Sequence, residues 1–167
     1  MEKITTSLEE TEQFGIEFAS KLNGGDIVLL SGNLGAGKTA LVKGIAKGFG
    51  IQNTITSPTF TLLNIYKIKN SKIKNFVHID TYRLKNEQEL VEIGAEDYLG
   101  RPNTICLIEW PDKIENVLKK YADPEHSGSS ILDFAPQQNR DNQKKFISIE
   151  IKQLENPDER EIIWKEN

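Results

Sequence analysis

A chain of 167 residues with 21 basic and 25 acidic side chains, formal net charge −4, lacks the excess of Lys and Arg needed to grip nucleic acid by itself, so any link to RNA is expected to be indirect. That length builds one core without metals or disulfides, and we expect a single domain over residues 1–167. No run approaches the roughly 20 apolar residues of a membrane span, and Met1-Glu2-Lys3-Ile4 opens no apolar leader, which predicts a cytoplasmic protein with no membrane partner.

Taken in order, Ser7-Leu8-Glu9-Glu10 has the form of a capping box. Thr11, Phe14, Phe18, Ala19 and Leu22 follow near helical spacing until Asn23-Gly24-Gly25 stops the pattern. Ile27 to Leu30 is a short continuous apolar run, as expected of a strand buried on both faces of a parallel sheet. It feeds into Gly32-Asn33-Leu34-Gly35-Ala36-Gly37-Lys38-Thr39, which fits the phosphate-binding pattern G-x-x-x-x-G-K-S/T. Glycines let successive N–H groups point at a di- or triphosphate, the lysine reaches the β/γ-phosphates, and the hydroxyl binds Mg2+. The expected nucleotide contacts are therefore Asn33, Leu34, Gly35, Ala36, Gly37, Lys38, Thr39 and Ala40. Leu41, Val42, Ile45, Ala46 and Phe49 give the following helix its apolar face, and the N-terminus of that helix adds partial positive charge to the phosphate site.

Ile51 to Thr56 lead into Ser57-Pro58-Thr59-Phe60-Thr61; the run to Tyr66 reads as a strand, Lys67 to Asn75 as its turn and Phe76 to Asp80 as the returning strand. Lys67, Lys69, Lys72 and Lys74 fit a solvated hairpin tip better than a nucleic-acid grip, because so small a patch supplies few phosphate contacts. Asn86-Glu87-Gln88-Glu89 is a second capping box, opening a short helix that Gly94 closes. Thr104 to Ile108 is another apolar strand, in which Cys106 reads as a buried structural thiol. Asp123 to Asn142, rich in Pro, Ser, Gly, Gln and Asn, reads as a flexible loop or insertion. Lys145 to Ile151 alternates with Ile147, Ile149 and Ile151 on one face, and the tail to Trp164 is expected to add an edge strand. The order predicts an α/β P-loop NTPase fold: one domain, a central mainly parallel sheet, antiparallel edge strands and flanking helices.

Two acidic residues at strand ends are candidates to complete the site, since ligands in open α/β sheets collect at the carboxyl ends of strands. Asp80 is placed as a Walker B aspartate would be, to hold Mg2+ through water or to orient the attacking water. Glu109 closes the next apolar strand and is placed to reach the metal or its water. The competing role of Asp80 is a strand-end cap or turn residue, and that of Glu109 is a surface carboxylate after a strand. Ser57, Thr59 and Thr61 compete to sense the γ-phosphate as a switch, against a plain X-Pro turn. Arg83 is set to neutralise transition-state charge or to form a structural ion pair, and Trp110 to cover the site, a partner or the core. His78 alternates with Asp80 toward the site; its competing role is a hydrogen-bonded core histidine. Thr6, Ser7 and Thr11 are candidates for adenine contact, with nothing to choose among them.

Three functions fit these residues: an ATPase, a stand-alone small-molecule kinase and a nucleotide-switched binding module. A kinase would need an acceptor pocket and an arginine-bearing lid, for which the 123–142 segment offers only Arg140. A GTPase is disfavoured, because no N-K-x-D occurs and no D-x-x-G begins at Asp80. The chain resembles the TsaE (YjeE) family, small bacterial ATPases needed to make threonylcarbamoyladenosine in tRNA. The resemblance rests on Gly35-Ala36-Gly37-Lys38-Thr39, Ser57-Pro58-Thr59-Phe60-Thr61, His78-Ile79-Asp80-Thr81-Tyr82-Arg83-Leu84 and Ile108-Glu109-Trp110-Pro111. It implies ATP hydrolysis that resets a complex with the partner subunits TsaB and TsaD, rather than phosphate transfer to tRNA. It also implies Mg2+ contacts from Thr39 and Glu109, the Walker B role for Asp80, and a catalytic set of Lys38, Asp80 and Glu109. The family usually has aspartate where Asn33 stands, threonine where Ala40 stands and glutamate where Asp112 stands. After Tyr121 the resemblance carries nothing over.

Overall fold

The computed structural model describes residues 1–58, 61–69, 71–122 and 145–166. Alternation of inward and outward side chains builds a seven-stranded sheet from β1 (Glu2–Thr5), β2 (Ile27–Ser31), β3 (Leu63–Lys67), β4 (Asn75–Asp80), β5 (Thr104–Glu109), β6 (Phe146–Gln153) and β7 (Arg160–Glu166). The spatial order is β1-β7-β6-β2-β5-β4-β3. The four inner strands β6, β2, β5 and β4 run parallel, while β3, β7 and β1 join antiparallel at the two sides. The expected α/β P-loop architecture is therefore the one formed. Its central strands are apolar on both faces because helices cover both.

Helices α1 (Leu8–Ala19) and α2 (Lys38–Gly48) cover one face, where Val28, Leu30, Ile105, Leu107 and Ile149 are buried. Ile27, Leu29, Val77, Ile79 and Cys106 point to the other face, under α3 (Gln88–Glu92) and α4 (Glu115–Ala122). Each such aliphatic side chain, fully removed from water, contributes about 1.5–3 kcal/mol. Ser7 caps α1 by accepting from Glu10 N at 3.0 Å, and Glu10 reaches back to Thr6 N at 2.7 Å. The contact between α1 and α2 runs through glycine. A Cβ on Gly44 would lie 2.0 Å from Glu12 O, so only glycine lets the two backbones approach this closely and sets α1 beside the start of α2.

Two expectations are corrected. The tail strand β7 is not an edge: β1 lies outside it, paired through Glu2↔Ile163 to Thr5↔Arg160. β7 is interior because it pairs with β1 on one side and β6 on the other, and Trp164 packs on Phe14 and Phe18 of α1 with ring centroids 5.1 and 6.1 Å away. The strand leading to Tyr66 starts only at Leu63, after a turn at Thr61 and Leu62, where Leu62 has φ 60°. The second capping box opens the short helix expected of it: Asn86 Oδ1 accepts from Glu89 N at 3.3 Å, and the helix lasts five residues. The proposed insertion at 123–142 lies outside the described residues. Among the described residues, no helix is long and apolar enough to cross a membrane.

Candidate functional site

Strand β2 ends at the edge where the parallel strands point their carboxyl ends, and the chain turns there through Gly32 to Gly37 into α2. Gly37, the N-cap of α2, has φ 106° and ψ 10°, a left-handed conformation that turns the loop N–H groups inward without a steric cost. Lys38 follows as the first helical residue. It is 6% exposed, and its Nζ donates to the carbonyls of Gly32 at 2.7 Å and Asn33 at 2.9 Å. The same Nζ stands 4.2 Å from the centre of the Trp110 ring. Burial lowers the Lys38 pKa, while the nearby carboxylates of Glu109 and Asp80 oppose that shift.

Those carboxylates come from neighbouring strands in register, Asp80 of β4 opposite Glu109 of β5, with Glu109 in turn opposite Leu30 of β2. By alternation Asp80 shares the face of Phe76, and Glu109 that of Ile105 and Leu107, so both turn toward the α2 layer. Asp80 accepts from Ser57 Oγ and, at 3.0 Å, from Tyr82 N. Glu109 Oε1 lies 2.8 Å from His78 Nε2. Both acids are at most 5% exposed, yet both line a cleft of about 710 Å³ together with Gly35, Gly37, Lys38, Thr39 and Ala40.

The donor set suits Mg2+: a threonine hydroxyl and two carboxylates are hard oxygen ligands, and no soft ligand intrudes. Among the described residues no group of three or more His, Cys, Asp or Glu side chains forms a closed metal cage.

Of the switch candidates, Ser57 joins the site through its bond to Asp80. Thr61 does not: its hydroxyl donates to Asn64 Oδ1 at 3.1 Å on an exposed turn. Thr59 lies outside the described residues. Arg83 lines the cleft, Asn33 contributes its carbonyl to Lys38, and Leu34 stands exposed at the loop tip. Trp110 covers Lys38 and stacks on Tyr82 at 5.1 Å. Its φ of 59° and ψ of 52° are unusual for a bulky residue. Two bonds hold it there: Trp110 N donates to Leu30 O at 3.2 Å, and Trp110 O accepts from Thr81 Oγ1 at 2.5 Å. The Thr11 hydroxyl is buried against Thr5 Oγ1 and Ser7 O, whereas Leu8, Glu9 and Glu12 of α1 reach the cleft.

Sequence reasoning missed Arg160. A Cβ on Gly37 would sit 2.9 Å from Arg160 Nε, so the first residue of β7 packs behind the phosphate loop. Arg160 is 6% exposed; its terminal nitrogens donate to Asp158 O and Pro157 O, while Nε has no hydrogen-bond partner among the described residues. Its local sequence carries no motif, since the contact exists only once β7 is docked beside β6. Tyr82 was quotable within its motif, but its contact with Trp110 required the β4–β5 register.

Comparison with known proteins points the same way. Residues 5–156 match the family described as "Threonylcarbamoyl adenosine biosynthesis protein TsaE". The tRNA threonylcarbamoyladenosine biosynthesis protein TsaE of Treponema pallidum is 38% identical over 121 residues, covering 72% of this chain and 86% of that protein. The protein of the same name from Rickettsia typhi is 46% identical over 113 residues, covering 67% of this chain and 75% of its own. The crystal structure of Bacillus subtilis YdiB superposes with a TM-score of 0.64 at 28% identity, over 98% of this chain and 83% of that one.

Proposed function

The chain belongs to the TsaE family, whose role lies in tRNA threonylcarbamoyladenosine biosynthesis, and we propose that it serves there as a Mg2+-dependent ATPase whose turnover depends on the partner subunits TsaB and TsaD. The observation that carries this reading is the placement of Asp80 and Glu109 side by side in register, next to Lys38, at the mouth of the phosphate loop.

In this reading Lys38 exchanges the Gly32 and Asn33 carbonyls for the β/γ-phosphate oxygens of ATP, a charge-assisted bond stronger than the ones it leaves. Thr39 and Glu109 would hold Mg2+, which would supply neutralisation of charge on the transferring phosphoryl group. Asp80, fixed by Ser57 and the Tyr82 N–H, orients the attacking water. Loss of the Ser57 bond would couple nucleotide state to the segment beyond it. Arg83 lines the same cleft and supplies positive charge toward the leaving phosphate. Docking of partner subunits over the cleft would exclude water and complete the site. The tRNA is reached only through those partners, consistent with the net charge of −4, and the work is done in the cytoplasm. We take the chain as one ATPase domain.

The test is phosphate release from ATP with and without TsaB and TsaD, alongside a screen for a phosphorylated small molecule. Release that rises with the partners supports the proposal. A phosphorylated acceptor formed without partners would make the chain a kinase, and nucleotide binding with no turnover in the full complex would make it a switched binding module.

A further inference from the structure

His78 is wholly buried in the middle of β4, among apolar neighbours on the face it shares with Phe76. One ring nitrogen is bonded: Nε2 lies 2.8 Å from Glu109 Oε1. The other, Nδ1, is buried with no hydrogen-bond partner among the described residues. A ring chosen only to fill space would be better replaced by an apolar side chain, because a buried unpartnered nitrogen costs stability that a leucine would not lose. The contact at Nε2 is therefore what the imidazole is there for.

We propose that His78 is a positioning residue for Glu109. Its Nε2–H donates to Oε1 and fixes the rotamer of the carboxylate, leaving Oε2 as the oxygen turned to the divalent cation. The inference rests on the reading of Glu109 as a Mg2+ contact. The two residues come from adjacent parallel strands, where Leu107 faces His78 and Glu109 is two residues further on the same face. The imidazole spans that offset. Thr81, the residue after β4, holds the Glu109 main chain as well, through Thr81 Oγ1 to Glu109 O at 2.9 Å and Thr81 N to Glu109 O at 3.2 Å. With carboxylate fixed from β4 and backbone from the residue after it, Glu109 presents one oxygen without a search over rotamers. Partners of this kind orient metal ligands and tune metal affinity in other sites.

Two measurements on the full chain test this. Calorimetric titration of ADP at a series of Mg2+ concentrations gives the coupling between metal and nucleotide without turnover. In His78→Asn, whose amide stops short of Glu109, the half-saturating Mg2+ concentration is expected to rise about tenfold or more, while ADP binding without metal stays as in the parent. His78→Gln carries an amide nitrogen near the position of Nε2 and is expected to stay within about threefold of the parent. Glu109→Gln is run beside them. Normal Mg2+ dependence in His78→Asn with impaired Glu109→Gln overturns the role of His78 and leaves that of Glu109 standing; normal dependence in Glu109→Gln overturns both. Where His78→Asn does not fold, the parent decides. The chain has two histidines, so a 15N spectrum of labelled imidazoles resolves His78 directly. A proton on Nε2 supports the assignment, and a ring protonated on Nδ1 alone overturns it.

Discussion

Lys38 meets three demands at one position: it begins α2, fills its own loop through two carbonyl bonds, and lies under Trp110. The first comes with the motif, and the other two require the folded sheet. Replacing it isolates the phosphate interaction. Lys38→Ala is expected to weaken ATP binding about 10- to 100-fold, the worth of charge-assisted bonds to phosphate, as measured by calorimetry. Glu109→Ala is expected to behave differently: turnover in the assembled complex falls about 100-fold or more, while ATP binding without metal changes little. Asp80 and Glu109 were legible because a carboxylate that ends an apolar parallel strand must emerge at the ligand-bearing edge. Thr61 misled because its hydroxyl has a closer acceptor in Asn64, three residues along the same turn. Arg160 was illegible because no local pattern announces a contact made across more than a hundred residues.

Elements were legible where periodicity is strong and hidden where pairing alone defines them. The helix before the phosphate loop, the loop helix and the four inner strands follow from apolar spacing, and each formed. β1 did not show itself: it is four residues long, three of them exposed, and only its pairing with β7 makes it a strand. α4 was also missed, since among its described residues only Val117 and Leu118 are fully buried, with Tyr121 partly so. The α1–α2 contact has a testable requirement. A methyl on Gly44 would meet the Glu12 carbonyl at 2.0 Å and the Gly15 Cα at 2.9 Å, both backbone, so neither gives way without moving a helix. Gly44→Ala is therefore expected to destabilise the fold by about 3 kcal/mol or more, despite the better helix propensity of alanine, as read from urea unfolding. Because α1 carries Leu8, Glu9 and Glu12 into the cleft, surviving protein should also bind nucleotide more weakly.

At the scale of the molecule, the two ends of the sheet do different work. The carboxyl ends of the parallel strands gather the charged site, while the opposite end holds Asp26, just before β2. Asp26 is 1% exposed; it accepts from Asn23 N at 2.7 Å through Oδ2, and its Oδ1 has no hydrogen-bond partner. Burial raises its pKa above the ordinary 3.8, outweighing the backbone bonds that favour the charged form. The folded state thus holds this proton more tightly than the unfolded chain. Its contribution is fully present below 3.8 and is lost as pH rises through the folded value, so unfolding free energy should fall with pH across that window. The difference between parent and Asp26→Asn, measured by denaturant titration at several pH values, is expected to show that slope; a flat difference would contradict it.

The central claim is that Lys38, Asp80 and Glu109 form an ATP-hydrolysing site that works within a partner assembly. The most direct measurement is single-turnover release of phosphate from ATP and Mg2+ by the chain assembled with TsaB and TsaD, comparing parent with Glu109→Ala at saturating nucleotide. The account predicts rapid release by the parent complex, little by the parent alone, and loss in Glu109→Ala with nucleotide still bound. Normal release by assembled Glu109→Ala, or equal release by the parent with and without its partners, would contradict it.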